Sequence, residues 1–281
     1  MQATADLEKP LPERAEPLLR LSRADGFFEF SADQCRNAGM QLHNKYLEND
    51  PFPHIVIENF VDLNVLREVN AQFPMPRAGR FSDKFSQLKT GYSLDLIRSA
   101  YIHDLLRAFN SAAFLDFLEA LTGIHGLVDD SRFTGGGLHE TRRGGHLSIH
   151  SDFNIHPITG LRRRLNLILF LNDTWNERWG GFLELWDQTM STCRRSVLPQ
   201  LGTAVIFNTE GKNYHGHPDP LDTPPEVTRR SIALYYYTNP RGIIVPRTTV
   251  FQARPSRSEF ATPLSQRLQE TVRLLLRRRE R

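Results

Sequence analysis

Residues 144–154 read GGHLSIHSDFN, and how that stretch is read decides the rest. As an extended strand it alternates faces, so His146, Ser148, His150 and Asp152 share one side while Leu147 and Ile149 turn to the other, into packing. His150 and Asp152 then offer an imidazole and a carboxylate to one point in space, two arms of a metal site. Two ligands do not make a site, so the surrounding sequence has to supply a third.

A His-x-Asp pair is weak evidence alone, because the chain has 10 histidines and such a pair is expected by chance. A second one, His217-Pro-Asp219, has Pro218 between its members, which interrupts the ladder that would hold both on one face. The pair at His150 and Asp152 sits in good alternation and is preferred. Downstream, GTAVIFN at 202–208 reads as a strand leading to NYHGHP at 213–218, which offers His215 and His217 as the third ligand. Two histidines and one carboxylate form a facial triad with open positions, the donor set of non-haem Fe(II) oxygenases.

The largest class of these needs 2-oxoglutarate, whose remote carboxylate requires a basic partner. An arginine fork suits it best, through paired charge-assisted hydrogen bonds. TRRSIALYYYT at 228–238 opens with two arginines, and parity chooses between them. Arg229 shares a face with the small residues Ser231 and Ala233, which leaves room for an acid. Arg230 shares the other with Ile232 and Leu234, a packing face, and is kept as the minority candidate.

Around this kernel the chain divides into a helical N-terminal part and a β-rich part. Ser31 caps a helix over 32–49, HIVIENF at 54–60 is a short strand, and Asp62 caps a second helix to Phe73. Residues 74–91 carry Pro74, Pro76, Gly79 and Gly91 and read as loop. An apolar stripe at helical spacing, from Leu105 to Leu121, is core packing. After Gly123 short extended runs follow one another, at about 133–141, 145–151, 164–172, 181–187, 194–198, 203–208 and 229–238. Such spacing indicates a sandwich or barrel rather than βαβ units. The expected division is a lead-in at 1–25, one domain at 26–250 (helical part 26–123, β core about 124–240) and a basic helical tail at 251–281.

Bulk properties fit a globular enzyme: 281 residues, 40% hydrophobic, 24% charged, net charge +3. Much of the positive excess lies in the last turns, so nucleic acid is not expected as a partner. No apolar run is long enough to cross a bilayer, and the opening residues do not read as a secretory segment, so no membrane partner is expected either. Cys35 and Cys193 do not form a disulfide framework and fit a reducing compartment, the cytoplasm.

The order of these pieces resembles the 2-oxoglutarate/Fe(II)-dependent dioxygenase superfamily, prolyl 4-hydroxylase type. The pieces are His150-Ser-Asp152, LNLILFLN from Leu165, GGFLELW from Gly180, His215 and the arginine strand; PFPHIVIENF from Pro51 looks like the family's entry. The resemblance implies a double-stranded β-helix, or jelly roll, with N-terminal helices packed on it. It implies Fe(II) on His150, Asp152 and His215, with His215 preferred over His217 by the family's spacing, and 2-oxoglutarate at Arg229. Dioxygen would be the other co-substrate and ascorbate a stimulant, in hydroxylation of an unactivated C–H bond with release of succinate and CO2. The presence of Asp152 favours hydroxylation, since halide-transferring relatives lack that carboxylate.

Two departures matter. An extra PLDTPPE loop lies between His215 and Arg229, and Phe170 stands where many relatives carry a tyrosine that holds the co-substrate, a role left to Asn166 or His139. Gly180 and Gly181 are read as permitting close backbone approach to the pocket, and Trp175, Trp179 and Trp186 as packing, with a substrate contact by Trp186 or Glu184 as the alternative; the run Arg162–Arg164 is read as a solvated turn, with an anionic-substrate contact as its alternative. His54, His146 and His156 are read as structural. The substrate is an amino acid, a peptidyl residue (proline among the options) or a small metabolite, touched by loops near 81–92 and 218–226. A metal-binding sensor without turnover and a zinc hydrolase are the competing classes; neither gives the arginine a task.

Overall fold

The computed structural model describes residues 16–75 and 85–255. A hairpin opens it, β1 (Leu21–Ala24) on β2 (Phe27–Phe30), the first strand lying within the stretch read as lead-in. Ser31 then caps α1 (Ala32–Glu48), its side chain accepting from Gln34 N, and Asp62 caps α2 (Leu63–Ala71) through Asn64 N. The apolar stripe forms two helices, α3 (Ala100–Phe109) and α4 (Ala112–Thr122). Ser99 and Ser111 cap them, so the break falls where a side-chain acceptor competes with helix continuation. Helix α1 meets α4 at Gly39, where an added Cβ would stand 2.6 Å from the Phe117 carbonyl oxygen.

The remaining strands are β3 (His54–Ile57), β4 (Ser86–Tyr92), β5 (Gly137–Ser151), β6 (Arg162–Phe170), β7 (Leu183–Trp186), β8 (Cys193–Val197), β9 (Ala204–Asn208), β10 (Tyr214–His217), β11 (Arg229–Thr238) and β12 (Val250–Phe251). They form one antiparallel ten-stranded sheet in the order β3-β9-β6-β11-β5-β10-β7-β8, with β4 and β12 also on β5. The sheet folds over on itself because β5 serves both halves. Its first part pairs with β11 from Gly137 to Thr141, and its last part pairs with β10 at Leu147 and His150. The bend lies at Gly144, whose φ of +76° favours glycine, and at Gly145, where a Cβ would sit 2.7 Å from the Gln87 carbonyl oxygen. The result is the expected jelly roll, a nearly closed barrel with helices on one side.

Period-2 alternation sorts the side chains of the larger half-sheet. Leu165, Leu167, Leu169, Ile232, Leu234 and Tyr236 point outward into the large core shared with the helices. Phe170, Val205 and Phe207 point inward and meet Leu183, Leu185 and Val197 from the other half. Burying either face costs no unpaired backbone, since neighbouring strands satisfy the ladder.

Besides β1 and β12, two strands that build the site lie where none was expected. Residues 86–92 pair with β5 instead of forming loop, and residues 214–217 fill the gap between β5 and β7. Both are short or polar and earn their conformation from partners distant in sequence. The basic tail from 256 lies outside the described residues. Among the described residues no helix is long and apolar enough to cross a membrane.

Candidate active site

Strand β5 delivers His150 and the residue just past its end delivers Asp152; β10 delivers His215, the direct cross-strand partner of His150. His150 Nε2 lies 3.7 Å from one Asp152 carboxylate oxygen and His215 Nε2 lies 3.5 Å from the other. One donor atom from each residue falls within 4.8 Å of the others, and all three side chains are buried. The tautomers are set from behind. His150 Nδ1 faces Ser148 O at 2.9 Å and His215 Nδ1 faces Asn213 O at 3.3 Å. A carbonyl can only accept, so each Nδ1 carries the proton and each Nε2 presents its lone pair to the centre. Burial, with the neighbouring His215 charge, pushes His150 down to about 3, and burial lowers His215 as well, so both rings are neutral donors.

The alternation read across 146–152 is broken at one point. Between His215 and His217 on β10 the register shifts by an extra residue on β5, since His215 pairs with His150 but His217 with Leu147. This bulge turns Leu147 onto the His150 side, where it lines the pocket, instead of leaving it with Ile149. Ile149 alone takes the other face, packed with Trp186, Met190 and Tyr214.

Asp152 is held by a cation that sequence reasoning set aside. Arg163, only 2% exposed, places Nη1 at 3.3 Å from Asp152 and donates to Asn166 Oδ1 at 2.6 Å. Asn166 in turn donates to the other Asp152 oxygen at 2.8 Å. The guanidinium lies over the Tyr235 ring at 3.5 Å. Burial alone would raise the Asp152 carboxyl, but Arg163, His215 and His150, with the Asn166 hydrogen bond, outweigh it and hold the group well below the usual carboxylate range. The Arg162–Arg164 run is thus no simple solvated turn. A β-bulge in β6, where Tyr236 pairs with Leu165 but Tyr237 with Arg163, turns Arg163 off the face of Leu165 and onto that of Asn166, while Arg162 and Arg164 pair with Glu210, each at 3.0 Å.

Arg229 lies deeper in the same pocket, 5% exposed, with its fork 4.9 Å from the Phe170 ring. Its Nε donates to Gly181 O at 2.7 Å, and no carboxylate pairs with it among the described residues. Burial lowers it to about 9, which leaves it cationic at neutral pH. Gly181 permits this contact: its φ is +72°, and a Cβ there would sit 2.6 Å from Leu221 and 3.2 Å from the Arg229 stem. Arg230 points to the opposite face, toward Glu140 at 3.3 Å and Asn70 Oδ1 at 2.8 Å. Parity separates the two arginines as the sequence indicated.

Other readings resolve less evenly. His217 lines the pocket beside Arg229 instead of joining the three-residue cluster. Of the two residues considered for the missing tyrosine, Asn166 is occupied with Asp152 and Arg163, while His139 lines the pocket. Trp186 and Glu184 hydrogen-bond to each other at 2.8 Å, on the strand face away from Leu183 and Leu185. His54 binds Phe52 O, and His156 takes two backbone N–H groups on Nδ1 and faces Asp130, as structural residues do. Lys89 was missed altogether. It reaches the pocket from β4 and sets Nζ 3.4 Å from His139 Nδ1. It stands in a stretch read as loop, and only the pairing of β4 with β5 gives it a face.

Residues 136–237 match the family model described as the 2OG-Fe(II) oxygenase superfamily. That stretch is similar to 2OG-Fe(II) oxygenases. All three converging residues and Arg229 fall within the matched stretch, which bears out the resemblance to the 2-oxoglutarate/Fe(II)-dependent dioxygenase superfamily. Among solved structures, a Pseudomonas putida prolyl-4-hydroxylase is similar at 16% identity and TM-score 0.47, over 71% of this chain and 98% of that one. A prolyl 4-hydroxylase from Phytophthora capsici is similar at 16% identity and TM-score 0.47, over 74% of this chain and 65% of that one. HygX from Streptomyces hygroscopicus, solved with nickel and 2-oxoglutarate, is similar at 13% identity and TM-score 0.44, over 66% of this chain and 82% of that one. No curated protein sequence matches the chain.

Proposed function

We propose that this domain hydroxylates an unactivated C–H bond of an amino acid, a peptidyl residue such as proline, or a small metabolite. In balance, the substrate, 2-oxoglutarate and dioxygen become hydroxylated product, succinate and CO2. The observation that carries the reading is Arg229, a buried guanidinium with no acid partner among the described residues, in the same pocket as a His-His-Asp cluster. A bare metal cage or a zinc hydrolase needs no such cation, whereas leaving it buried and unpaired is costly.

The residues present fit the implied groups. His150, Asp152 and His215 would hold Fe(II), with two neutral Nε2 donors and one ionised carboxylate. Arg229 would take the remote carboxylate of 2-oxoglutarate through its two free Nη groups, Nε being engaged by Gly181. Iron with bound 2-oxoglutarate supplies oxidative decarboxylation coupled to oxygen transfer. The chain contributes orientation and dryness. Arg163 and Asn166 fix the Asp152 carboxylate, Ser148 and Asn213 carbonyls fix the imidazoles, and Phe170, Ile168 and Leu183 keep water from the buried side. Ascorbate would support turnover by keeping iron reduced. The two cysteines are unpaired, which supports the reducing cytoplasm as the site of action. The interlocked contacts of helices and sheet support a single domain over about 26–250.

The protein with Fe(II), ascorbate and 2-oxoglutarate is expected to release succinate slowly without substrate and faster with one. Asp152→Ala and Arg229→Ala should each abolish release; full activity in both would overturn the proposal. His215→Ala should lose Fe(II) binding by calorimetry while His217→Ala keeps it, and the reverse result would exchange their roles.

A further inference from the structure

Two polar groups beside Arg229 in the pocket have no task in the reading above, Lys89 and His217. Lys89 and Arg229 are each the cross-strand partner of Thr141, one on each side of β5. Cross-strand partners project to the same face, and the strands stand about 4.8 Å apart, so the two cations flank one rank of the sheet. His139 Nε2 faces the Gly135 carbonyl at 3.1 Å and must carry the ring proton, which leaves Nδ1 as an acceptor for the Lys89 ammonium at 3.4 Å. Two ammonium N–H bonds remain, and no carboxylate pairs with Lys89 among the described residues. His217, 3% exposed, has both ring nitrogens buried without a partner among the described residues. Burial lowers its imidazole first, and the charges of Arg229 and Lys89 lower it further; all three groups line the same pocket.

Together they offer about seven N–H donors, four on the Arg229 Nη groups, two on Lys89 and one on His217, an arrangement suited to an anion. We infer that Lys89 shares the remote carboxylate of 2-oxoglutarate with Arg229, and that His217 donates a third hydrogen bond to it. The inference rests on the proposed dioxygenase reading and assigns a task to β4, which lies outside the family match at 136–237. A carboxylate has about four lone-pair sites, enough for the free Arg229 nitrogens, one Lys89 N–H and one His217 N–H.

A charge consequence follows. Burial and Arg229 push Lys89 down to about 8, against the pull of Asp152. An anion beside it would draw the proton back. Binding is therefore strongest below pH 8 and weakens as pH rises through it. The other groups facing Lys89 do not titrate in that window: His139 and His217 are pushed well below their ordinary value, His150 to about 3, Asp152 stays ionised, and Arg229 is lowered only to about 9.

The test is calorimetric titration of the full chain, loaded with Mn(II), against 2-oxoglutarate and separately against pyruvate, which has no remote carboxylate. For Lys89→Met the Kd for 2-oxoglutarate should rise about 10- to 100-fold, the loss of one charge-assisted hydrogen bond. The Kd for pyruvate should stay within about twofold. Between pH 6.5 and 8.5 the wild-type affinity should fall above about pH 8, and the Lys89→Met profile should be flat. His217→Phe should weaken 2-oxoglutarate less than Lys89→Met and spare pyruvate. An unchanged Kd for 2-oxoglutarate in Lys89→Met, or an equal loss for pyruvate, overturns the inference. Failure of the wild type to bind 2-oxoglutarate at all would instead overturn the dioxygenase reading.

Discussion

Replacing Arg163 by Met tests how the site holds its one carboxylate. Arg163 and Asp152 are 2% and 7% exposed, and the guanidinium stands 3.3 Å from the carboxylate, so solvent screens the pair little. Met matches the stem but removes the charge and both donors to Asn166. Breaking a buried pair from one side typically costs about 3–5 kcal/mol, because the partner charge is left uncompensated. Here Asn166 still donates to Asp152 at 2.8 Å, so the lower end, about 3 kcal/mol, is expected in urea unfolding of the metal-free protein.

The sign with pH follows from the same groups. In the wild type the Asp152 carboxyl is held below its unfolded value, so its contribution is present above about pH 4 and is lost as pH falls toward the folded value. Without Arg163 the burial effect, which raises the carboxyl, gains ground. The variant's deficit should therefore shrink as pH drops below about 4, where the unfolded chain's carboxyl also protonates. Mn(II) affinity should fall about 10- to 100-fold, the usual cost of losing a partner behind a ligand. Arg163→Met combined with Asp152→Asn should show most of the single-variant cost already spent, a coupling visible in a double-mutant cycle. Unchanged stability, within about 0.5 kcal/mol, together with unchanged Mn(II) affinity would refute the account.

Two further perturbations separate scaffold from site. Arg230→Ala removes the cation beside the fully buried Glu140 on the helix-facing side, and should cost about 2–3 kcal/mol in unfolding while the Kd for 2-oxoglutarate stays the same. Gly181→Ala places a Cβ at a φ of +72° against Leu221 and the Arg229 stem; a loss of about 1–3 kcal/mol and a weaker 2-oxoglutarate Kd are expected, the second readout by calorimetry.

Much of the molecule could be read along the chain because its signals are local. Ser31, Asp62, Ser99 and Ser111 accept from the first helical turns, and cap chemistry is written within three residues. Apart from β10, the order of strands from β5 to β11 follows turn residues and apolar runs, and parity in a well-paired strand is enough to tell Arg229 from Arg230. His150 and Asp152 flank a single residue at the end of a strand, so their meeting is a property of extended backbone.

What the chain by itself determined, then, is which residues share a face of a regular strand and which begin a helix. The tertiary structure decided the rest. An extra residue on β5 opposite β10 reverses the side of Leu147, because a bulge depends on the partner strand as much as on its own sequence. Arg163 is an ordinary member of a charge run until the bulge in β6 turns it onto Asp152 and onto Asn166 of its own strand. Lys89 has no pattern to announce it, since β4 is polar and owes its extended form to β5. Long-range pairing aims these side chains, and a cation's neighbours, unlike its charge, cannot be read from its position in the chain.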